Sequence, residues 1–148
     1  MRLLNIEAYG LDISEYAISQ VDPDTKKFCK LIDKENYAPF NLHFDWVISK
    51  DVMEHMTLDA IKLFLNTFAK NSSKMFHVIP LGDDKKFRIG DMHLDKSHIQ
   101  IHDEDWWEDI FLQSGWKLLN LSYEMKGVKD NWSEYHPKGN GFFTLGKK

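Results

Sequence analysis

The sequence predicts an α/β fold with a mainly parallel sheet, because apolar strand-like runs alternate with a helical pattern. Residues 44–49 form an apolar run without strict alternation, which is typical of a strand covered on both faces. A polar tip containing Asp51, Glu54 and His55 follows at once. A helix is then predicted from the N-cap Thr57 to about residue 70. A strand, a polar tip and a helix are the layout that places a ligand site at the carboxyl end of an open sheet.

Length and composition indicate one globular domain spanning residues 1–148. The 148 residues are 43% hydrophobic and 28% charged, which is enough to bury a core and too apolar for a disordered chain. The net charge of -4 argues against a broad nucleic-acid surface. The single cysteine, Cys29, excludes an internal disulfide and favours a reducing, cytoplasmic compartment. The sequence predicts neither a signal peptide nor a membrane span.

The first part of the chain predicts two strands that each end in an acidic residue. Residues 8–13 form a short buried strand followed by a helix, and residues 28–32 form a second strand that ends at Asp33. Residues 34–43 are predicted to be a polar loop. Asp12, at the tip of the first strand, allows two interpretations. Its carboxylate caps the following helix, or it holds the two hydroxyls of a ribose, and both remain open.

The later part predicts a strand, a long irregular segment, a helix and a closing hairpin. Residues 75–80 form an apolar run in which His77 is interpreted as a core histidine. Residues 81–101 are unusually long for a connection in a compact domain, so we expect this segment to be functional or mobile. Asp103 caps the helix. The last two strands should be antiparallel, because the loop between them is too short and polar for a crossover helix. They are residues 116–123 and 141–145.

The histidines of the irregular segment do not predict a metal site. The set comprises His93, Asp95, His98, His102 and Asp103. The isoleucines between the last two histidines alternate as in a strand, which predicts that His98 and His102 share a strand face. No cysteine joins them, and their spacing fits no structural zinc pattern, so no metal is expected.

Three segments of the chain resemble the class I S-adenosylmethionine-dependent methyltransferases, in particular the small-molecule branch. They are residues 10–18, residues 44–55, and the stretch from Ser97-His98-Ile99 to Gly115-Trp116. The resemblance implies a Rossmann-like sheet that ends in an antiparallel hairpin. It also implies S-adenosyl-L-methionine as the cofactor and methyl transfer to a small-molecule or sugar- or lipid-linked acceptor.

The resemblance further implies roles for individual residues. The implied cofactor-binding residues are Asp12 for the ribose, Ile13 and Asp33 for the adenine, and Ser49, Lys50 and Asp51 at the border of the sulfonium and the acceptor. His55 and His98 are the candidate catalytic bases, since only histidine titrates near neutral pH without perturbation. His55 has an alternative interpretation as a residue at the start of the helix that hydrogen-bonds Asp51 or Glu54. A loop histidine such as His98 also has many structural uses.

One departure from the family concerns its first strand and glycine-rich turn, which should precede Met1. The single Gly-x-Gly, residues 139–141, is not in a strand-to-helix setting. The expectation is therefore an N-terminally truncated, partial methyltransferase-like domain. Its second and fourth family strands pair directly, or a second copy or companion chain supplies the strand, or the chain is a fragment or degenerate copy. Two alternatives to an active enzyme stay open: a non-catalytic remnant or partner subunit without cofactor binding, and a dinucleotide-binding domain.

Overall fold

The computed structural model describes residues 1–33 and 36–148, which form two compact units. The first unit is Met1–Asn41 and the second is Leu42–Lys148. A single domain over residues 1–148 stays a prediction. The polar loop predicted at residues 34–43 begins with Lys34 and Glu35, which lie outside the described residues. No helix in the described parts of the chain is long and apolar enough to cross a membrane.

The first unit contains two short parallel strands and one short helix. They are β1 (Gly10–Asp12), α1 (Glu15–Ser19) and β2 (Cys29–Leu31). Ser14 caps α1, since its Oγ accepts a hydrogen bond of 3.1 Å from the backbone N–H of Ala17. Both strands lie where the sequence predicts them, but the expectation that the first one is buried is wrong. Its residues are half-buried or exposed within this structure, because strand-like composition does not tell how a short strand is covered.

The second unit is built on a four-stranded sheet of order β3-β4-β8-β7. Its elements are β3 (Phe44–Lys50), α2 (Leu58–Asn71), β4 (Ser72–Pro80), β5 (Gly82–Asp83), β6 (Lys86–Phe87), α3 (Glu104–Gln113), β7 (Trp116–Ser122), α4 (Asp130–Tyr135) and β8 (Asn140–Lys147). β3 and β4 are parallel, whereas β8 runs against both β4 and β7. Three of the four strands therefore share one direction, and the predicted antiparallel hairpin is confirmed. The six-residue α4 lies in the loop where no crossover helix was expected, and it leaves β7 and β8 as antiparallel neighbours.

Local capping explains where the two longer helices begin. The Oγ1 of Thr57 accepts from the backbone N–H of Ala60 at 3.3 Å, and the Oδ1 of Asp103 accepts from that of Trp106 at 2.9 Å. Each helix then buries residues spaced three or four apart, which places them on one face. The buried residues are Ile61, Leu65 and Phe68 in α2 and Trp107, Ile110 and Phe111 in α3. Both helices are confirmed.

The prediction that residues 44–49 form a strand covered on both faces is wrong. Trp46 is 44% exposed and Ile48 is 52% exposed. The reason is that β3 is an edge strand of the four-stranded sheet, whereas the neighbouring β4 is central and carries the buried residues. An apolar sequence cannot show which strand lies at an edge. That a second copy or a companion chain supplies a further strand stays a prediction.

Candidate active site

Polar side chains collect at the carboxyl ends of the parallel strands β3 and β4. β3 ends at Lys50, and the 3-10 turn Met53–His55 that follows presents Glu54 and His55. β4 ends at Pro80, and the long segment after it leads to His98. The carboxyl ends of neighbouring parallel strands meet at one edge of a sheet, which is where open α/β sheets bind ligands.

Residues 99 and 100 of the long segment form hydrogen bonds with the turn after β3. The backbone N–H groups of Ile99 and Gln100 both donate to the carbonyl oxygen of Glu54, at 2.8 and 3.0 Å. The side-chain amide of Gln100 donates to the carbonyl oxygen of Met56 at 2.9 Å. These bonds bring His98 beside His55, with 4.5 Å between their ring centroids. The two candidate bases predicted from distant parts of the sequence are therefore neighbours.

The predicted strand face shared by His98 and His102 is wrong. Residues 98–102 form no strand in the described structure. Two successive N–H groups bind the same carbonyl, so the alternation expected from the isoleucines does not occur. His102 instead stacks on Trp106, with 3.6 Å between ring centroids, and its Nε2 lies 3.1 Å from the Oε1 of Gln100.

The hydrogen bonds of the two neighbouring histidines assign their protons. The Nδ1 of His98 lies 2.7 Å from the carbonyl oxygen of Met92, which can only accept, so this Nδ1 carries a hydrogen. The hydroxyl of Ser97 donates to the Oδ1 of Asp95 at 2.5 Å and therefore accepts from the Nδ1 of His55 at 2.9 Å. Each neutral ring is left with its lone pair on Nε2.

Glu54 is the buried member of this cluster. Its side chain is 0% exposed, and neither carboxylate oxygen has a hydrogen-bond partner among the described residues. Burial raises the pKa of Glu54 to about 7, and the charge of Asp51 acts in the same direction. The backbone amide of Glu54, the charge of Lys129 and the charge that His98 carries when it is protonated act in the opposite direction. One ligand atom from each of Glu54, His55 and His98 lies within 4.8 Å of the others.

A second polar group is centred on Asp51, directly after β3. Its carboxylate accepts from the ammonium groups of Lys50, at 2.7 Å, and Lys129, which also donates to the Oδ1 of Asn140 at 3.0 Å. Burial alone would raise the pKa of Asp51, but the hydrogen bonds and charges of the two lysines outweigh it and lower the pKa. Asp51 and Lys129 both have positive φ angles, of 53° and 57°, which are unfavourable for residues with a Cβ.

Replacing Lys129 by methionine should lower the free energy of unfolding by about 1.5 kcal/mol, the scale of a hydrogen bond to a charged group. The Lys129 side chain is largely buried, and its loss leaves Asn140 and Asp51 without this donor. Urea unfolding of the purified chain measures the change. The exposed neighbour Lys126 offers a matched control, because Lys126→Met removes a lysine from the same loop. An equal effect of both substitutions would contradict a specific role for the Asp51 pair.

The remaining predicted site residues are Ser49, Asp12, Ile13 and Asp33, and three of them form hydrogen bonds within the protein. The Oγ of Ser49 lies 2.8 Å from the Nδ1 of His77, so Ser49 supports a core histidine. The Oδ1 of Asp12 accepts from the backbone N–H of Ser14 at 2.8 Å, which agrees with the capping interpretation. Ile13 is exposed, and the Oδ1 of Asp33 accepts from the backbone N–H of Asn36 at 2.9 Å. Asp12, Ile13 and Asp33 belong to the first unit, and their cofactor contacts stay predictions.

Sequence reasoning did not identify three residues that organise this edge of the sheet. The sequence shows Glu54 only as part of the charged tip. In the structure its side chain is buried, as is that of the preceding Met53. Lys129 and Asn140 lie on either side of α4, and no local pattern connects them with Asp51. Their association requires the antiparallel pairing of β7 and β8, which brings this loop to the end of β3 and β4.

No protein-family model matches the sequence, and a search of curated proteins finds no relative. Solved structures do match. A S-adenosylmethionine-dependent methyltransferase from Clostridium acetobutylicum has a TM-score of 0.68 at 10% identity, with 96% of this chain and 75% of that one covered. LepI in complex with SAM has a TM-score of 0.64 at 10% identity, with coverage of 99% and 38%. The mitomycin 7-O-methyltransferase MmcR has a TM-score of 0.58 at 12% identity, with coverage of 84% and 36%.

This chain thus spans less than half the length of LepI and MmcR. At these low identities the similarity concerns the fold. The second unit has a mixed α/β architecture. Its sheet contains the parallel pair β3–β4, the antiparallel strand β8 and the last strand, β7. The chain has the fold of S-adenosylmethionine-dependent methyltransferases.

Proposed function

We propose that this chain is a S-adenosylmethionine-dependent methyltransferase that methylates a hydroxyl group of a small-molecule or sugar- or lipid-linked acceptor. The observation that supports the proposal is the pair of Nε2 lone pairs, on His55 and His98, at the carboxyl end of β3 and β4. A methyltransferase fold with two imidazole Nε2 atoms at this edge has the groups that an acceptor hydroxyl needs.

The proposed roles follow from the proton positions. When bound, the cofactor supplies a methyl group activated by a sulfonium. With the cofactor bound, the Nε2 of His55 or His98 would accept the proton that the acceptor hydroxyl loses on methylation. General-base assistance of this kind contributes on the order of 10²- to 10⁴-fold in rate. The hydrogen bonds on Nδ1 keep both rings in the tautomer that this role requires.

The carboxylate of Asp12 is compatible with binding the ribose of the cofactor. Asp12 is exposed at the tip of β1, and among the described residues only its Oδ1 is engaged. The second carboxylate oxygen can accept from a ribose hydroxyl. The assignment of Ile13 and Asp33 to the adenine, and of Ser49, Lys50 and Asp51 to the sulfonium region, rests on the resemblance. Ser49 and Asp51 would have to act while keeping their present partners.

Calorimetric titration with S-adenosylhomocysteine tests the proposal. We expect binding to the purified chain and at least roughly tenfold weaker binding to Asp12→Ala, since a hydrogen bond to a carboxylate contributes about 1.5 kcal/mol or more. Asp12→Asn keeps the Oδ1 acceptor for Ser14 and separates loss of charge from loss of the turn. The exposed Asp24 provides the matched control Asp24→Ala. No binding by the unaltered chain would favour a non-catalytic remnant or partner subunit, and preferential binding of NAD would reject the proposal.

A further inference from the structure

We propose that Glu54, His55 and His98 form a binding site for one divalent transition-metal ion. Glu54 and His55 come from the turn after β3, and His98 comes from the segment fastened to that turn. No metal is expected from the sequence of residues 93–103 alone, and two of the three proposed ligands lie outside that range. It depends on the geometry of three side chains and does not require methyl transfer.

The three side chains already lie at near-ligand spacing. One ligand atom of each lies within 4.8 Å of the other two, and the Nε2 of His55 is 3.9 Å from the Oε1 of Glu54. Ligands bound at about 2.0–2.2 Å around one ion lie roughly 3–3.5 Å apart. The three ligand atoms would therefore have to approach one another by about 1 Å to bind one ion, and rotation of the side chains can provide this movement.

Hydrogen bonds on the opposite ring nitrogens prepare both histidines for a metal. The Nδ1 of His98 donates to a backbone carbonyl, that of Met92. The Nδ1 of His55 donates to Ser97, whose hydroxyl is in turn held by Asp95. Such bonds fix the tautomer and orient Nε2, and they are the usual support of metal-binding histidines.

Glu54 has no satisfactory partner among the described residues in either protonation state. As an anion it is fully buried, and no donor bonds its oxygens. The ammonium group of Lys129 is bound by Asp51 and Asn140. As a carboxylic acid it would need an acceptor, and 3.9 Å to His55 is too long for a hydrogen bond. A cation supplies what both states lack, because buried charges are normally paired or coordinate metals.

The ligand set selects a class of metal. Two imidazole nitrogens and one carboxylate oxygen suit Zn²⁺, Fe²⁺, Co²⁺ or Mn²⁺ better than Ca²⁺, which prefers six to eight oxygens. Three protein ligands leave coordination positions for oxygen atoms from outside the protein. The exposed carboxylate of Asp95, whose Oδ2 is 3.7 Å from the Nε2 of His98, can approach one of them. A metal in this place would occupy the Nε2 lone pairs of both histidines, and it would then take over the role of the base by binding an acceptor oxygen and lowering the pKa of that oxygen.

Metal titration of the chelator-treated chain tests the site. We expect the chain to bind one equivalent of Zn²⁺ by calorimetry. Co²⁺ should also bind, and it should give the visible absorption of an ion with nitrogen ligands. Glu54→Gln and His98→Gln should each weaken Zn²⁺ binding by tenfold or more and reduce the Co²⁺ absorption. Glu54→Gln keeps the shape of the buried side chain, and a thermal melt confirms that each variant is folded.

The chain contains seven histidines, so binding at other histidines must be separated from binding at this site. His43, an exposed histidine, and His136, in a different loop, provide the controls His43→Gln and His136→Gln. Both controls should bind Zn²⁺ and Co²⁺ as the unaltered chain does. The proposal is overturned if the unaltered chain binds no equivalent of either ion, or if folded Glu54→Gln and His98→Gln bind as tightly as the controls. Loss of S-adenosylhomocysteine binding with metal binding intact would reject the proposed methyl transfer alone.

Discussion

Trp116→Ala should lower the free energy of unfolding by about 3–5 kcal/mol, the range for removing a large aromatic side chain from a core. Trp116 is 0% exposed at the start of β7. Its indole N–H donates to the carbonyl oxygen of Leu65 in the middle of α2, at 3.0 Å. The substitution therefore creates a cavity and removes a bond between the sheet and the helix that covers it. Urea unfolding followed by tryptophan fluorescence and far-UV circular dichroism measures the loss.

Two further variants separate packing from the hydrogen bond at this position. Trp116→Phe keeps most of the buried ring and should cost roughly 1–3 kcal/mol, because it leaves the buried Leu65 carbonyl without this donor. Trp132, which is 43% exposed in α4, provides the matched control Trp132→Ala. A loss below about 1 kcal/mol for Trp116→Ala, or a loss equal to that of Trp132→Ala, would show that Trp116 does not join β7 to α2 in the core.

Acidification should destabilise the second unit through His77, by roughly 2–3 kcal/mol at about pH 4.5. Burial lowers the pKa of His77 from 6.5 to about 3, because the ring lies fully inside the core. The unfolded chain binds a proton below pH 6.5, whereas the folded protein does not until about pH 3. Stability contributed by the neutral ring is thus fully present above pH 6.5 and is lost as the pH falls through this window.

The slope of stability against pH isolates this effect from the cost of the substitution itself. In His77→Gln the slope between about pH 6.5 and 4.5 should decrease by up to one proton, about 1.4 kcal/mol per pH unit. His43→Gln, at an exposed position just before β3, controls for the replacement of a histidine. Unfolding in urea at a series of pH values gives both slopes. The same slope in His77→Gln as in the unaltered chain would mean that the unfolded chain gains no extra proton at this residue.

Some features of the site followed from the sequence because they depend on near neighbours. The polar tip after residues 44–49 lies at a strand end, and the helix after it begins at its predicted cap. The interpretation of His77 as a core histidine is confirmed, since an apolar run on both sides of it signals burial. Other features were beyond such reasoning. Whether Asp12 caps a helix or holds a ribose depends on a ligand, and the local bond to Ser14 is compatible with both.

The amino-acid sequence by itself determined strands β1 to β4, the capped helices and the closing hairpin, because periodicity and capping act over a few residues. Only the tertiary structure decided that β3 is an edge strand and that His98 meets Glu54 and His55. It also decided that Lys129 pairs with Asp51. These contacts join residues more than 40 positions apart, and they arise from strand order and backbone hydrogen bonds that no local pattern encodes.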